Sequence, residues 1–292
     1  MTTHSNNVCK ICLTTGDKMF KDKKVLVTGS EGMIGKELVK LLEELGAEIY
    51  HFDLNGPTPL DVTDKKAVED TFKFFEPEYV FHLFGIKGNP KRTKERPVDF
   101  MGPMLQGDTN MILASQATGV KRFLYTSSIA VKNQETDRYP AWAKMTGEIL
   151  IDAMKIQYPE TKYCVVRPAN VYGKEDLNKD LMVVSSLIKQ AKTGKLVLDI
   201  EGAKQTRDII HAKDVARGMI KCMEEMPIIP VNLCSGKPTQ IKDIATEIAD
   251  QLGVNIEYEN LNLTLGPKSK VMDNPYIQPE IDLKEGIKLC LS

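Results

Sequence analysis

The chain has no surplus of either charge: 39 Lys and Arg stand against 40 Asp and Glu, a net charge of −1 over 292 residues. No basic stretch is long enough to follow a nucleic acid backbone or an anionic membrane surface. No apolar run approaches the length of a membrane span. Tryptophan is down to one residue and cysteine to six. The only C-x-x-C is Cys9 and Cys12, with His4 upstream, and no second pair follows to complete a four-ligand zinc site. It opens no helix of a thioredoxin-like unit either, so no metal is expected and the stretch reads as a leader of about 22 residues that packs on the domain or stays mobile. Met1 to Lys24 is polar and lysine-rich and lacks the apolar core of a secretory signal. A cytoplasmic location with reduced thiols is the expectation. Internal repeats and low-complexity segments are missing too.

What is present is one strong local pattern. Residues 28–35 read Thr-Gly-Ser-Glu-Gly-Met-Ile-Gly, directly after the apolar run Val25-Leu26-Val27. A buried strand runs into a glycine turn, and the turn into an amphipathic helix carried by Ile34, Leu38, Leu41, Leu42 and Leu45. Gly29 permits the tight turn, Gly32 lets backbone approach a ligand, and Gly35 lets the helix lie on the strand. The free N–H groups and positive end of such a helix favour a pyrophosphate. The spacing is G-x-x-G-x-x-G, not G-x-G-x-x-G. A second strand, Glu48–Phe52, ends at Asp53, 18 residues after Gly35. A carboxylate there accepts hydrogen bonds from an adenosine ribose and repels a 2′-phosphate, which favours NAD over NADP.

Strands and helices then alternate for about 150 residues, the mark of a doubly wound parallel sheet of the Rossmann type. Helices are predicted near Lys65–Phe75, Met104–Thr118 and Ala141–Gln157, and strands near Tyr79–Phe84, Arg122–Thr126 and Lys162–Arg167. Lys87–Pro97 reads as a loop. Leu181–Thr193, Asp214–Glu225 and Lys242–Leu252 read as helices, and Val231–Cys234 and Asn255–Tyr258 as strands. The last stretch resists assignment. The expected organisation is an N-terminal extension over 1–23, a dinucleotide-binding domain over 24–170 to which 209–234 returns, and a small C-terminal lobe from 171–208 and 235–292. Phe72, Phe74 and Phe75 read as helix-face packing, and His82 and His211 as core or structural residues.

Further segments join the glycine turn: Asp61-Val-Thr-Asp64, Phe81-His-Leu-Phe-Gly85, Lys121 to Ser128, Ala143-Lys144, Arg167-Pro-Ala-Asn-Val-Tyr-Gly173 and Arg207 to Asp214. In this order they resemble the extended short-chain dehydrogenase/reductase family, the NAD-dependent nucleotide-sugar epimerases and dehydratases. Arg96-Pro-Val-Asp-Phe-Met101 adds a distant likeness to the GDP-fucose synthases. The resemblance implies a cytoplasmic NAD enzyme acting on a nucleotide sugar and forming a homodimer through the helices near Asn110 and Lys144, with Met104, Met111 and Trp142 as contributors. It implies cofactor contacts from Gly29, Glu31, Gly32, Met33, Ile34, Gly35, Asp53, Asp61, Val62, Leu83, Phe84, Gly85, Thr126, Lys144 and Pro168. Ser128 would orient the reacting oxygen, Lys144 would hold the nicotinamide ribose and lower the pKa of a catalytic tyrosine, and Asn170 and Arg207 would bind substrate, Arg207 at the diphosphate.

The chain also departs from that family. The tyrosine four residues before the lysine is replaced by Pro140, and Tyr139 stands five before Lys144, expected just outside the helix. The segment between Ser128 and Lys144 is short. Where GDP-fucose synthases carry an epimerising cysteine and histidine, this chain has Ala130 and Met182, which transfer no proton. Met104 replaces the asparagine that begins the long helix. Three readings follow: hydride transfer, at C4 of the sugar, with Tyr139 as acid/base; an enzyme with a relay through Ser128 and water, or with another substrate; and a cofactor-binding regulatory or scaffolding homologue with impaired catalysis.

Overall fold

A computed structural model of the protein describes residues 19–86, 90–132, 139–174, 182–261, 271–273 and 275–292. Cys9, Cys12 and His4 lie outside them. The first half runs β1 (Lys24–Thr28), α1 (Met33–Glu44), β2 (Glu48–Phe52), α2 (Lys65–Phe75), β3 (Tyr79–His82), α3 (Pro90–Glu95), α4 (Val98–Ala117), β4 (Arg122–Thr126), α5 (Tyr139–Gln157) and β5 (Lys162–Pro168). The second half adds β6 (Asn170–Tyr172), α6 (Val183–Ala191), β7 (Lys195–Asp199), α7 (Ile200–Ala203), β8 (Thr206–His211), α8 (Ala212–Glu225), β9 (Val231–Leu233), β10 (Pro238–Gln240), α9 (Ile241–Leu252), β11 (Asn255–Glu259) and α10 (Leu283–Leu291).

The main sheet is parallel, in the order β2-β1-β3-β4-β5-β9. β2 and β3 flank β1 on opposite sides, so the chain reverses direction across the sheet there, and ligands of such folds bind at that switch point. Both faces are buried, because side chains alternate along each strand. Val25, Val27, Phe81, Leu124, Cys164 and Val166 face α1 and α8, where Leu38, Leu42, Val215 and Met219 meet them. Leu26, Val80, Phe123, Tyr125 and Val165 face the other layer, with Phe72 of α2, Met111 of α4 and Ile151 of α5. A third core joins α6, β7, α9 and α10 through Val184, Ile188, Leu196, Ile244, Ile248 and Ile287. Beside it stand a three-stranded sheet, β10-β8-β6, and the parallel pair β11-β7.

Several expectations are corrected. The predicted strand Tyr79–Phe84 stops at His82, because the Leu83 and Phe84 N–H groups leave the ladder and donate to Thr28 Oγ1 at 3.0 and 3.1 Å. The long helix begins at Val98 rather than Met104, and runs through Pro103. The segment read as a loop before it carries the short α3. Strands β6, β7, β8 and β10 and helix α10 were not legible in the pattern. Phe72 and Phe75 are buried as expected, but Phe74 is 80% exposed, since it lies on the solvent side of α2 between them. Met104 and Met111 point into the core of their own chain and have no surface to offer a second copy; Trp142 is 44% exposed. Among the described residues no helix is long and apolar enough to cross a membrane.

Candidate functional site

The glycine turn forms as a tight bend between β1 and α1. Gly29 has φ +67°, a conformation L side chains avoid, and its N–H donates to Phe52 O at 3.0 Å. A Cβ on Gly35 would lie 2.1 Å from the Gly29 carbonyl oxygen, so only glycine lets α1 start this close to the strand. Gly32 is the N-cap of α1 and no side chain caps it, which leaves the first N–H groups of the helix available. Met33 opens the helix and packs beside Gly173, while Ile34 joins the core beneath. Asp53 stands next to this turn: its Oδ2 accepts the Glu31 N–H at 3.1 Å and its Oδ1 the Asn55 N–H at 2.8 Å. One neighbouring loop carries Asp61, whose Oδ1 accepts from Thr63, and Val62, whose carbonyl accepts from Asn110 Nδ2 at 3.0 Å.

A buried polar chain continues from β1. Thr28 Oγ1 lies 2.9 Å from His82 Nδ1, and His82 Nε2 lies 2.9 Å from Asp108 Oδ1. Burial draws His82 below its usual value despite Asp108, so the ring is neutral. An ionised carboxylate only accepts, so the ring proton sits on Nε2, and Nδ1 accepts the threonine hydroxyl. Tyr125 O–H donates to Asp108 Oδ2 at 2.5 Å. Lys144 then closes the group: its Nζ donates to the Phe84 carbonyl at 2.7 Å, stands 3.4 Å from Asp108 Oδ1, and lies 4.8 Å from the centre of the Tyr125 ring. Lys144 is 6% exposed, so it is no solvated helix lysine. Gly85 adjoins its stem. The structure thus brings Leu83, Phe84, Gly85 and Lys144 together at the switch point beside Gly29.

A second network fixes the end of β4. Arg167 places Nε 2.8 Å from Glu148 Oε1 and Nη2 against Oε2, a fork-shaped pair, and Ser127 Oγ donates to Oε1. Ser128 follows, with its Oγ accepting the Ala130 N–H at 3.1 Å, which leaves its proton to donate. Tyr139 is the first residue of α5, not a residue outside it, because proline suits the first turn and its missing N–H is not needed there. Five residues of helix turn through about 500°, so the Tyr139 and Lys144 side chains leave the axis about 140° apart. The Tyr139 ring packs 6.1 Å from Trp142. Met182 caps α6.

Asn170 and Arg207 stand on the three-stranded sheet. Asn170 Nδ2 donates to Asp208 O at 2.9 Å, and Arg207 donates to Thr206 O and Gln205 Oε1 at 2.8 and 2.7 Å. Pro168 is buried at the end of β5, next to this sheet. His211 is buried and caps α8 through Nδ1, consistent with a structural residue. Residue reasoning missed Asp108, Tyr125, Ser127 and Glu148. Only the polar residues Asp108 and Glu148 on otherwise buried helix faces signal them, and that signal needs the helix phase to be known.

These residues fit a dinucleotide. Ser30 Oγ, in the glycine turn, and Thr126 Oγ1, at the end of β4, are buried hydroxyls with no hydrogen-bond partner among the described residues. With the uncapped α1 terminus they offer what phosphate and ribose oxygens require.

The model of the NAD dependent epimerase/dehydratase family matches residues 25–232. GDP-L-colitose synthase of Yersinia pseudotuberculosis is 24% identical over 300 residues, covering 91% of this chain and 96% of the relative. GDP-L-fucose synthase of Azorhizobium caulinodans is 26% identical over 304 residues, covering 92% and 96%. An epimerase structure from Methanothermobacter thermautotrophicus superposes with a TM-score of 0.83 at 21% identity, over 94% of this chain and 92% of that one.

Proposed function

The chain belongs to the NAD-dependent epimerase/dehydratase family, and we propose that it is an oxidoreductase of a nucleotide sugar, moving hydride at C4 of the sugar. The relatives named as GDP-sugar synthases support that substrate class. The observation that carries the reading is Lys144, buried at the switch point with its ammonium on the Phe84 carbonyl. We read 24–170, with 209–234, as the cofactor-binding unit, and 171–208 with 235–292 as the substrate lobe.

In this reading the α1 terminus at Gly29, Glu31, Gly32, Met33, Ile34 and Gly35 holds the pyrophosphate, and Asp53 the adenosine ribose. Asp61 and Val62 flank the adenine, Leu83, Phe84 and Gly85 line the phosphates and ribose, and Thr126, Lys144 and Pro168 hold the nicotinamide half. NAD, when bound, supplies the hydride acceptor. Arg207 pairs with the substrate diphosphate and Asn170 reaches the sugar. Ser128 donates to the C4 oxygen, and Tyr139, as the phenolate, takes the proton that leaves it and becomes the neutral phenol.

One observation favours a second reading, a cofactor-binding regulatory homologue: in a continuous helix Tyr139 and Lys144 diverge, and Pro140 holds the tyrosine position between them. Turnover separates the two. The protein is incubated with NAD and a panel of UDP-, GDP-, dTDP- and CDP-sugars, with product detected by NMR. Turnover of one sugar, lowered about 100-fold or more in Tyr139→Phe, supports the enzyme reading and the acid/base role. Full turnover in Tyr139→Phe removes Tyr139 from the mechanism. NAD binding with no sugar converted supports the regulatory reading.

A further inference from the structure

The Lys144 ammonium is buried, and it has a counter-charge that comes from a different helix. Asp108 lies in the middle of α4, 2% exposed, on a face that otherwise packs Met104, Met111 and Ile112 into the core. Both of its carboxylate oxygens are engaged. Oδ1 faces His82 Nε2 at 2.9 Å and Lys144 Nζ at 3.4 Å, and Oδ2 accepts the Tyr125 hydroxyl at 2.5 Å. The hydroxyl reaches that oxygen under α5 because residue 147 is glycine: a Cβ there would sit 2.1 Å from Tyr125 Oη. His82 is in turn held by Thr28, whose oxygen also receives the N–H groups of Leu83 and Phe84. The carboxylate is therefore fixed from β1, β3 and β4 at once, and the ammonium it faces is fixed on the Phe84 carbonyl.

We propose that Asp108 is a positioning residue for the site: it keeps Lys144 charged and aims its ammonium at the cofactor-facing loop after β3. The inference rests on the reading of Lys144 as a cofactor-binding residue. The groups around Lys144 are Asp108 on α4, His82 on β3 and Tyr125 on β4, with Glu148 on its own helix engaged by Arg167 and Ser127. His82 and the tyrosine are neutral at physiological pH, so Asp108 is the charge that offsets the ammonium. Burial draws Lys144 down from its usual value, and Asp108 opposes that pull. Burial also acts to raise Asp108, but Lys144, His82 and Tyr125 outweigh it and hold the carboxyl below its usual range. The 3.4 Å approach of Lys144 Nζ to Asp108 Oδ1, with the second oxygen held by Tyr125, is the geometry of an ion pair, and on it the proposal rests. Removing the carboxylate leaves a buried ammonium on the neutral Phe84 carbonyl with no counter-charge, which such a group escapes by losing its proton.

The test is NAD affinity as a function of pH in the full chain, for wild type and Asp108→Asn, with no substrate needed. In wild type the affinity changes less than about twofold between pH 6.5 and 8.5, because Lys144 stays charged. In Asp108→Asn the affinity falls about tenfold or more over that window, as Lys144 deprotonates on raising the pH. A uniform loss with an unaltered pH profile makes Asp108 a packing residue only and overturns the proposal, as does a variant with wild-type affinity throughout. Should Asp108→Asn not fold, 15N NMR of the lysine side chains in wild type, assigned with Lys144→Met, decides: a protonated Lys144 across the window supports the inference, and a neutral one overturns it. This second readout is independent of NAD. Protein that binds no NAD but keeps a charged Lys144 refutes the cofactor reading while leaving the ion pair intact.

Discussion

At the scale of single residues, the proposed function makes cofactor choice turn on Asp53. Its carboxylate is held by the Glu31 and Asn55 N–H groups at the mouth of the glycine turn, where a ribose 2′-hydroxyl can donate to it and a 2′-phosphate is repelled. Wild type is expected to bind NAD about tenfold or more tightly than NADP, roughly 1.4 kcal/mol of discrimination, and Asp53→Ala to lose most of that preference. Titration of both cofactors against both proteins checks this, and an unchanged ratio in the variant would remove Asp53 from cofactor selection. Gly29, Gly35 and Asp53 were legible because each stands at a set distance from a strand end, and Lys144 was singled out only through the family resemblance. Asp108 was not: its partners His82, Tyr125 and Lys144 lie 26, 17 and 36 positions away in the chain, and nothing local couples them.

At the scale of elements, two buried carboxylates hold the C-terminal pieces onto β8 and α8. Asp208 accepts the N–H groups of Ser235, Gly236 and Met272 at 2.8, 3.2 and 3.1 Å. Asp214 accepts those of Glu280 and Ile281, both at 3.1 Å, and pairs with Arg217 at 2.9 Å. The segment leading to α10 is thereby anchored through its backbone, where sequence periodicity has little to show. Asp214→Asn is expected to cost about 2–4 kcal/mol of stability, since the buried carboxylate loses its charge, its pair with the half-buried Arg217 and one of its two N–H acceptors. Denaturant unfolding measures the loss, and limited proteolysis should cut the Asn variant earlier around 275–282. Cleavage at the wild-type rate would mean that the third core, through Ile287 and its neighbours, holds α10 unaided.

At the scale of the whole molecule, α4 and α5 present an apolar stripe to solvent. Trp142, Met145, Ile149 and Ile156 follow one face of α5 at 44, 38, 64 and 85% exposure, and Leu113 of α4 adds 47%. We propose that two copies pair through this face, in place of the buried Met104 and Met111. Wild type is expected to run as a dimer by light scattering, and Ile149→Asp as a monomer with its NAD affinity within about twofold, because a carboxylate does not enter such an interface unpaired. A monomeric wild type at micromolar concentration would leave the stripe without this partner.

The sequence by itself determined the parallel half of the fold and the cofactor turn. Those features are written in short-range code: alternating apolar residues that bury both faces of a strand, helix periods between them, and glycines where a Cβ would strike backbone. Even the departure at Pro140 was visible, although α5 takes in Tyr139 and Pro140, two residues ahead of the Ala141 start expected. Tertiary structure alone decided the rest. The short strands β6 and β10 pair with β8 from distant parts of the chain, and a run of three residues carries too little period to be read. The charge state and aim of Lys144 likewise depend on groups from β1, β3, α4 and β4 meeting at one point, and only the packed sheet brings them there.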